Sequence, residues 1–195
     1  MTGEEIQGLF NRLARLSKAS HQKAGSGTAW DYTVENGKTH RYILLGIKSF
    51  EEVEDNIFNL FIWIWNAKDY LKHRAERKGL NPNYVEQAIK DDPLLQICAD
   101  LANLLKHGKL TKSDRSGKSP KLGSVKFTAP QSAIRSVIFR AFEVEIHIAN
   151  PSGVELGLPI LDKADIQIGD AFEYADEAIH KLEILREKIE HLNNV

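Results

Sequence analysis

The sequence predicts an α+β fold in which helices dominate. Apolar residues recur every three or four positions over residues 3–19, 49–78, 92–108 and 169–192, the period of a helix with one buried face. Residues 31–45 and 124–161 instead carry β-branched and aromatic residues interrupted by Asn-Gly and Pro-containing turns, the pattern of strands and hairpins. No repeat and no Gly/Ser/Pro-rich linker separates two cores, so a single domain over 1–195 is expected. Its helical core would span about 1–108 plus 169–192, with β hairpins at about 31–45 and 124–161 and a basic loop at 109–124.

The elements follow in order. Ile6, Leu9, Phe10, Leu13 and Leu16 make an amphipathic first helix that stops before Ala24-Gly-Ser-Gly27. Asn36-Gly37 tolerates the positive φ angles of a tight turn, which makes 31–45 a hairpin. Ser49-Phe-Glu-Glu52 is a capping box, in which a serine and the glutamate three residues on satisfy each other's backbone. The long helix it starts is apolar enough around Trp63 and Trp65 to be buried on nearly all sides, and Gly79 is its natural stop. Asn81-Pro82 and Asp92-Pro93 each read as a cap followed by a first helical residue, for a short helix to Lys90 and a central helix ended by Gly108. Strands are expected at Val125 to Thr128, Val137 to Ile148 and Val154 to Ile160. In the second of these, Phe142, Val144, Ile146 and Ile148 alternate with Glu143, Glu145 and His147. A closing helix buries Phe172, Ala175, Ile179, Leu182, Leu185 and Ile189. Trp63, Ile64, Leu101, Leu104, Leu182 and Leu185 are expected in the core.

Composition narrows the function classes. With 42% hydrophobic and 27% charged residues the chain is of average globular make-up. A net charge of −1 provides no global field for nucleic acid or anionic lipid, so any such attraction must be local. A single cysteine, Cys98, rules out an intrachain disulfide and a cysteine-histidine zinc cluster, and its leucine neighbours mark it as a core residue. The N-terminus lacks a signal-peptide pattern, and the longest apolar run, Leu60 to Trp65, is far too short to cross a bilayer. A cytoplasmic protein without membrane association is expected.

Chemistry is concentrated on two polar stripes. Asp100, Asn103 and His107 share one face of the central helix, within an arc of about 60°. Asn66, Asp69 and His73 repeat the three-then-four spacing on the long helix. Histidine exchanges protons near neutral pH, so His107 is the candidate general acid or base, with Asn103 and Asp69 supporting it. The competing reading is that these groups cap backbone or pair between helices. Lys109, Lys112, Arg115, Lys118 and Lys121 against the lone Asp114 leave a local charge of +4. With Lys106 they could hold an RNA backbone, although aromatic residues for base stacking are absent from 109–126. His40, His147, His180 and His191 are expected at the surface. His73, His107, Asp69 and Asp100 could approximate a metal set, but the Glu-x-x-His pairs of di-iron bundles are missing, so no metal or other cofactor is assigned.

Ala102-Asn-Leu-Leu-Lys-His107, preceded by a long helix bearing Asn66-Ala-Lys-Asp69, resembles the HEPN domains of prokaryotic defence and toxin systems. The resemblance covers about residues 50–108, with a closing helix at 169–192. It implies an HEPN-like helical bundle with β-hairpin additions, and metal-independent RNA cleavage in a composite site between two copies. Asn103 falls on the motif's polar position, His107 on its histidine, and Lys68 and Asp69 near its earlier polar pair. The motif arginine, which would stabilise charge on the phosphate, falls on Ala102. Two functions are therefore expected in competition. One is an RNA-binding or RNA-cleaving protein of toxin or phage-defence type, with RNA, a second copy and an antitoxin as candidate partners. The other is a non-catalytic interaction protein whose polar stripes only pair helices, and Ala102 favours it.

Overall fold

The computed structural model describes residues 2–108 and 114–192. The described residues form an α+β fold of five α-helices and several small sheets. The chain divides into two compact units, one of residues 1–19, 56–124 and 158–195, the other of 20–55 and 125–157. Each is assembled from separate stretches of chain, which is why no linker is visible in the composition.

The first unit is helical. Helix α1 (Gly3–His21) buries Ile6, Leu9, Phe10 and Leu13, as its periodicity requires. Helix α2 (Phe50–Arg77) starts at the expected capping box: the Glu52 amide donates to Ser49 Oγ at 3.1 Å and the Ser49 amide to Glu52 Oε2 at 3.0 Å. It ends at Gly79 (φ +74°), where the Leu80 amide returns to the Ala75 carbonyl and the Gly79 amide to that of Glu76. This is the paired closure of a helix whose last carbonyls need donors. Helix α3 (Asn83–Lys90) follows Asn81, whose side chain accepts from the Asn83 amide at 2.9 Å. Helix α4 (Pro93–His107) is capped by Asp92, which accepts from the Leu94 and Leu95 amides, and it ends at left-handed Gly108 (φ +68°). Helix α5 (Ala171–His191) has Asp170 as its cap and buries Phe172, Ala175, Ile179, Leu182, Leu185 and Ile189.

Ile64, Leu101, Leu182 and Leu185 are buried as expected, and so is Cys98, whose thiol is pushed up by the loss of water. Trp63 and Leu104 are only half-buried, so α2 is not enclosed on all sides. Its indoles are covered by cations instead: the Arg12 guanidinium lies 4.2 Å from the Trp63 ring, with its polar end left to water. At the far end of α2, Arg74 holds Glu190 of α5 through two bonds of 2.7 and 2.8 Å, and Lys78 lies 3.3 Å from the same carboxylate. A small antiparallel sheet completes this unit, in the order β3 (Lys121–Leu122), β8 (Pro159–Leu161), β9 (Gln167–Asp170).

The second unit is built on a four-stranded sheet ordered β1 (Thr28–Thr33), β2 (Thr39–Leu45), β6 (Glu143–Ile148), β5 (Ile134–Arg140). The first hairpin turns at Asn36-Gly37 as expected, with Gly37 at φ +80°. The expected single strand from Val137 to Ile148 is instead a second hairpin, β5 and β6, with Arg140 opposite Glu143 across Ala141-Phe142. Neither turn residue takes positive φ, so the turn lacks the Gly or Asn that would mark it. The two hairpins are joined in one sheet because β2 and β6 pair in parallel, Arg41 opposite Glu143. Strands β4 (Lys126–Thr128) and β7 (Glu155–Gly157) form a separate pair.

Opposed residues share a face. Trp30, Tyr42, Val144 and Phe139 form one row, and Thr28, Leu44, Ile146 and Val137 the next. One end of this face is covered by the cluster of Leu44, Ile47, Ala133, Ile148 and Val154, with Phe127 and Ile146 against it. Trp30 stacks on Tyr42 at 5.5 Å. The opposite face is charged: Asp31, Arg41, Glu143 and Arg140 form one row, and Arg140 also reaches Glu145 at 3.6 Å. Gly46 lets the chain leave β2, since at φ +91° a Cβ would collide with the Ile148 carbonyl oxygen.

The Arg74 hydrogen bonds, aided by Lys78, pull the Glu190 carboxyl from its ordinary 4.5 to about 2. Because the folded value is the lower one, this stabilisation is present above pH 4.5 and is lost as pH falls toward 2. Glu190→Gln is expected to cost about 1–2 kcal/mol at neutral pH, after discounting for the solvent that reaches the pair. The difference from wild type in thermal or urea unfolding should shrink progressively below pH 5 and nearly vanish at about pH 2. A difference that stayed constant across that range would show that Glu190 contributes packing rather than charge.

Candidate functional site

The polar stripe of α4 is divided among three environments. Asp100, 2% exposed, is the only charged side chain buried on this helix. Its Oδ1 accepts from the Arg115 amide at 2.9 Å, and its Oδ2 from the Ser116 amide at 2.9 Å and the Ser116 hydroxyl at 2.7 Å. A carboxylate taken out of water among leucines must find donors, and here the returning chain provides three. Asn103 is half-buried and His107 exposed, and neither has a hydrogen-bond partner among the described residues. Asp69 is exposed and lies 3.3 Å from Lys68. No hydrogen bond joins Asp69, Asn103 and His107 to one another among the described residues.

Ala102 is 1% exposed. The position that the HEPN resemblance assigns to an arginine therefore faces the core. His73 belongs to the second stripe and is exposed, 3.4 Å from Glu76 of its own helix. Among the described residues no three His, Cys, Asp or Glu side chains gather as a metal set. No described helix is long and apolar enough to cross a membrane.

Of the expected RNA-contacting residues, Lys109 and Lys112 lie outside the described residues. Lys106 and Lys118 are exposed. Lys121 is 2.6 Å from Asp165. Arg115 is turned back onto the bundle. Its guanidinium lies 5.0 Å from the Trp65 ring and 3.3 Å from Glu86. Lys68 reaches the same two groups, 4.3 Å from the Trp65 ring and 3.5 Å from Glu86, and Lys72 is 3.1 Å from Glu86.

Glu86 is thus the anionic centre of three cations. Burial alone would raise its carboxyl, but the Lys72 hydrogen bond and the charges of Lys68, Lys72 and Arg115 hold it below the usual carboxylate range. The spacing of Trp65, Lys68 and Lys72, three then four, places them on one face of α2 and was visible in the sequence. Their partner Glu86, on another helix, was not. Beside this hub an open cleft of about 430 Å³ is lined by Asn83, Glu86, Gln87, Lys90, Gln96 and Arg115. It gathers amides and paired charges but no nucleophile held by a base.

Comparison with protein-family models, with curated proteins and with solved structures finds no match.

Asp100→Ala leaves two amides and a hydroxyl without their acceptor and should cost about 2–3 kcal/mol in urea unfolding. It should also raise amide hydrogen exchange at Arg115 and Ser116 before any change in the rest of α4. Unchanged protection at those two amides would show that the loop is held by other contacts.

Proposed function

We propose that this chain is a non-catalytic interaction protein in which Asp100, of the polar stripe of α4, builds structure. The observation that carries this reading is the use of Asp100: its carboxylate is spent on Arg115 and Ser116 of the following loop. The other members of the stripe support the same conclusion. A histidine working as general base needs a neighbour that sets its tautomer and a cation or donor for the developing charge. His107 has no such neighbour among the described residues, Asp69 is paired with Lys68, and the arginine position is a buried alanine.

A second reading, RNA binding of the toxin or phage-defence kind, draws support from exposed Lys106, His107 and Lys118 close together in the sequence. Arg115 and Lys121 lend it less than their charge suggests, because each already lies against a carboxylate. Counterion release then rests on few phosphate contacts, and such binding would be weak at physiological salt.

One assay tests both readings. Mixed RNA is incubated with wild type and His107→Ala in EDTA, and the products are examined for 2′,3′-cyclic phosphate ends. Neither protein is expected to cleave, and retention of labelled RNA on filters should fall away at physiological salt. Cleavage by wild type that disappears with His107→Ala would overturn the proposal and establish a ribonuclease.

A further inference from the structure

We infer that β5 is the seam of a two-fold homodimer, in which two copies of this chain join their four-stranded sheets edge to edge. This goes beyond the reading above and holds whether or not RNA is bound.

The sheet has two edges, β1 and β5. An edge strand presents unpaired backbone groups, and monomeric proteins usually guard it with charge, proline or shortness. β1 carries Asp31 in its middle. β5 is seven residues long and contains no proline, acid or lysine. Its two charges do not guard it. Arg135 sits at the register shift between Ile134 and Ser136, and the Arg140 guanidinium is drawn onto Glu143 and Glu145 of the neighbouring strand.

Between them Val137, Ile138 and Phe139 stand in succession at 41%, 39% and 76% exposure. Successive strand residues point to opposite faces. A partner laid on one face of the sheet would leave Ile138, or else Val137 and Phe139, in water. Only a strand added along the edge covers all three.

The segment is complementary to itself. Antiparallel pairing about a two-fold axis at Ile138 sets Ile138 opposite Ile138 of the second copy, Val137 opposite Phe139, and Ser136 opposite Arg140. Apolar residues meet apolar residues, and the two copies of Arg140 lie about 13 Å apart along the strand, each beside Arg135 of the other copy and each held by Glu143 and Glu145 of its own. Pairing β5 with β1 of another copy would instead set Asp31 in the seam and make a head-to-tail contact, which builds a ring or a filament rather than a two-fold pair.

Sedimentation equilibrium on the full chain, up to about 100 μM, tests this. The expected mass is about 44 kDa, twice the 22.0 kDa of one chain. Ile138→Lys places two ammonium groups face to face and should weaken association by about tenfold or more, with unchanged circular dichroism. As a second measurement, Ile138→Cys should form an intermolecular disulfide under mild oxidation, since opposed residues in such a seam bring Cα atoms to about 4.5–5.5 Å. Phe139→Cys, offset by two residues from its own copy, should not. Buried Cys98 stays out of the reaction. A wild type that is monomeric at every concentration would overturn the inference, as would a dimer unaffected by Ile138→Lys, or a crosslink through Phe139→Cys in place of Ile138→Cys.

Discussion

A carboxylate buried in a leucine-rich helix imposes a condition that much of the helical unit meets. Asp100, at 2% exposure, needs hydrogen-bond donors within the protein. The donors come from Arg115 and Ser116, so the chain leaving α4 must come back across it. That return carries the Arg115 side chain over Trp65 and against Glu86, where Lys68 and Lys72 of α2 already converge. Helices α2, α3 and α4 are thereby tied through one loop residue. Left-handed Gly117 and Ser119 then turn the chain toward β3, and the Lys118 carbonyl accepts from Lys163 in the β8–β9 turn.

This arrangement explains why spacing alone pointed toward catalysis. Three polar groups on one helix face look identical in sequence whether they line a cleft or receive a loop. The two cases differ in what approaches that face, and the approaching group is fixed by contacts far along the chain. Asp100 to Ser116 spans only sixteen residues, yet the intervening segment carries no periodicity that would bring it back. The same applies to the cations. In sequence Arg115 and Lys121 look like free charge, but Glu86 and Asp165 lie against them. A net local charge of +4 overstates the field that a phosphate would meet.

The β unit shows a different limit. The Asn36-Gly37 hairpin was legible because its turn demands residues that tolerate positive φ. The Ala141-Phe142 turn makes no such demand, so the second hairpin read as one continuous strand. The parallel contact of β2 with β6 was invisible for another reason. It joins stretches a hundred residues apart, and pairing at that distance leaves no local trace. The result matters for function, because it creates a sheet whose outer strand β5 exposes Val137, Ile138 and Phe139. Exposed Val137 and Phe139 look like core residues in sequence, and only the sheet order places them at an edge.

Local backbone chemistry and one-face burial were within reach of the sequence by itself. The capping box at Ser49 and Glu52, the Asp92-Pro93 start and Gly108 stop of α4, the Gly79 closure and the buried stripes of α1 and α5 all rest on neighbours within about one or two turns. So did the burial of Cys98 and Ile64. Tertiary structure alone decided which polar groups are spent on the fold, which of the helix-borne indoles are sheltered by cations, and which strand is left at an edge. Those outcomes depend on desolvation, and desolvation is set by whatever part of the chain arrives from a distance.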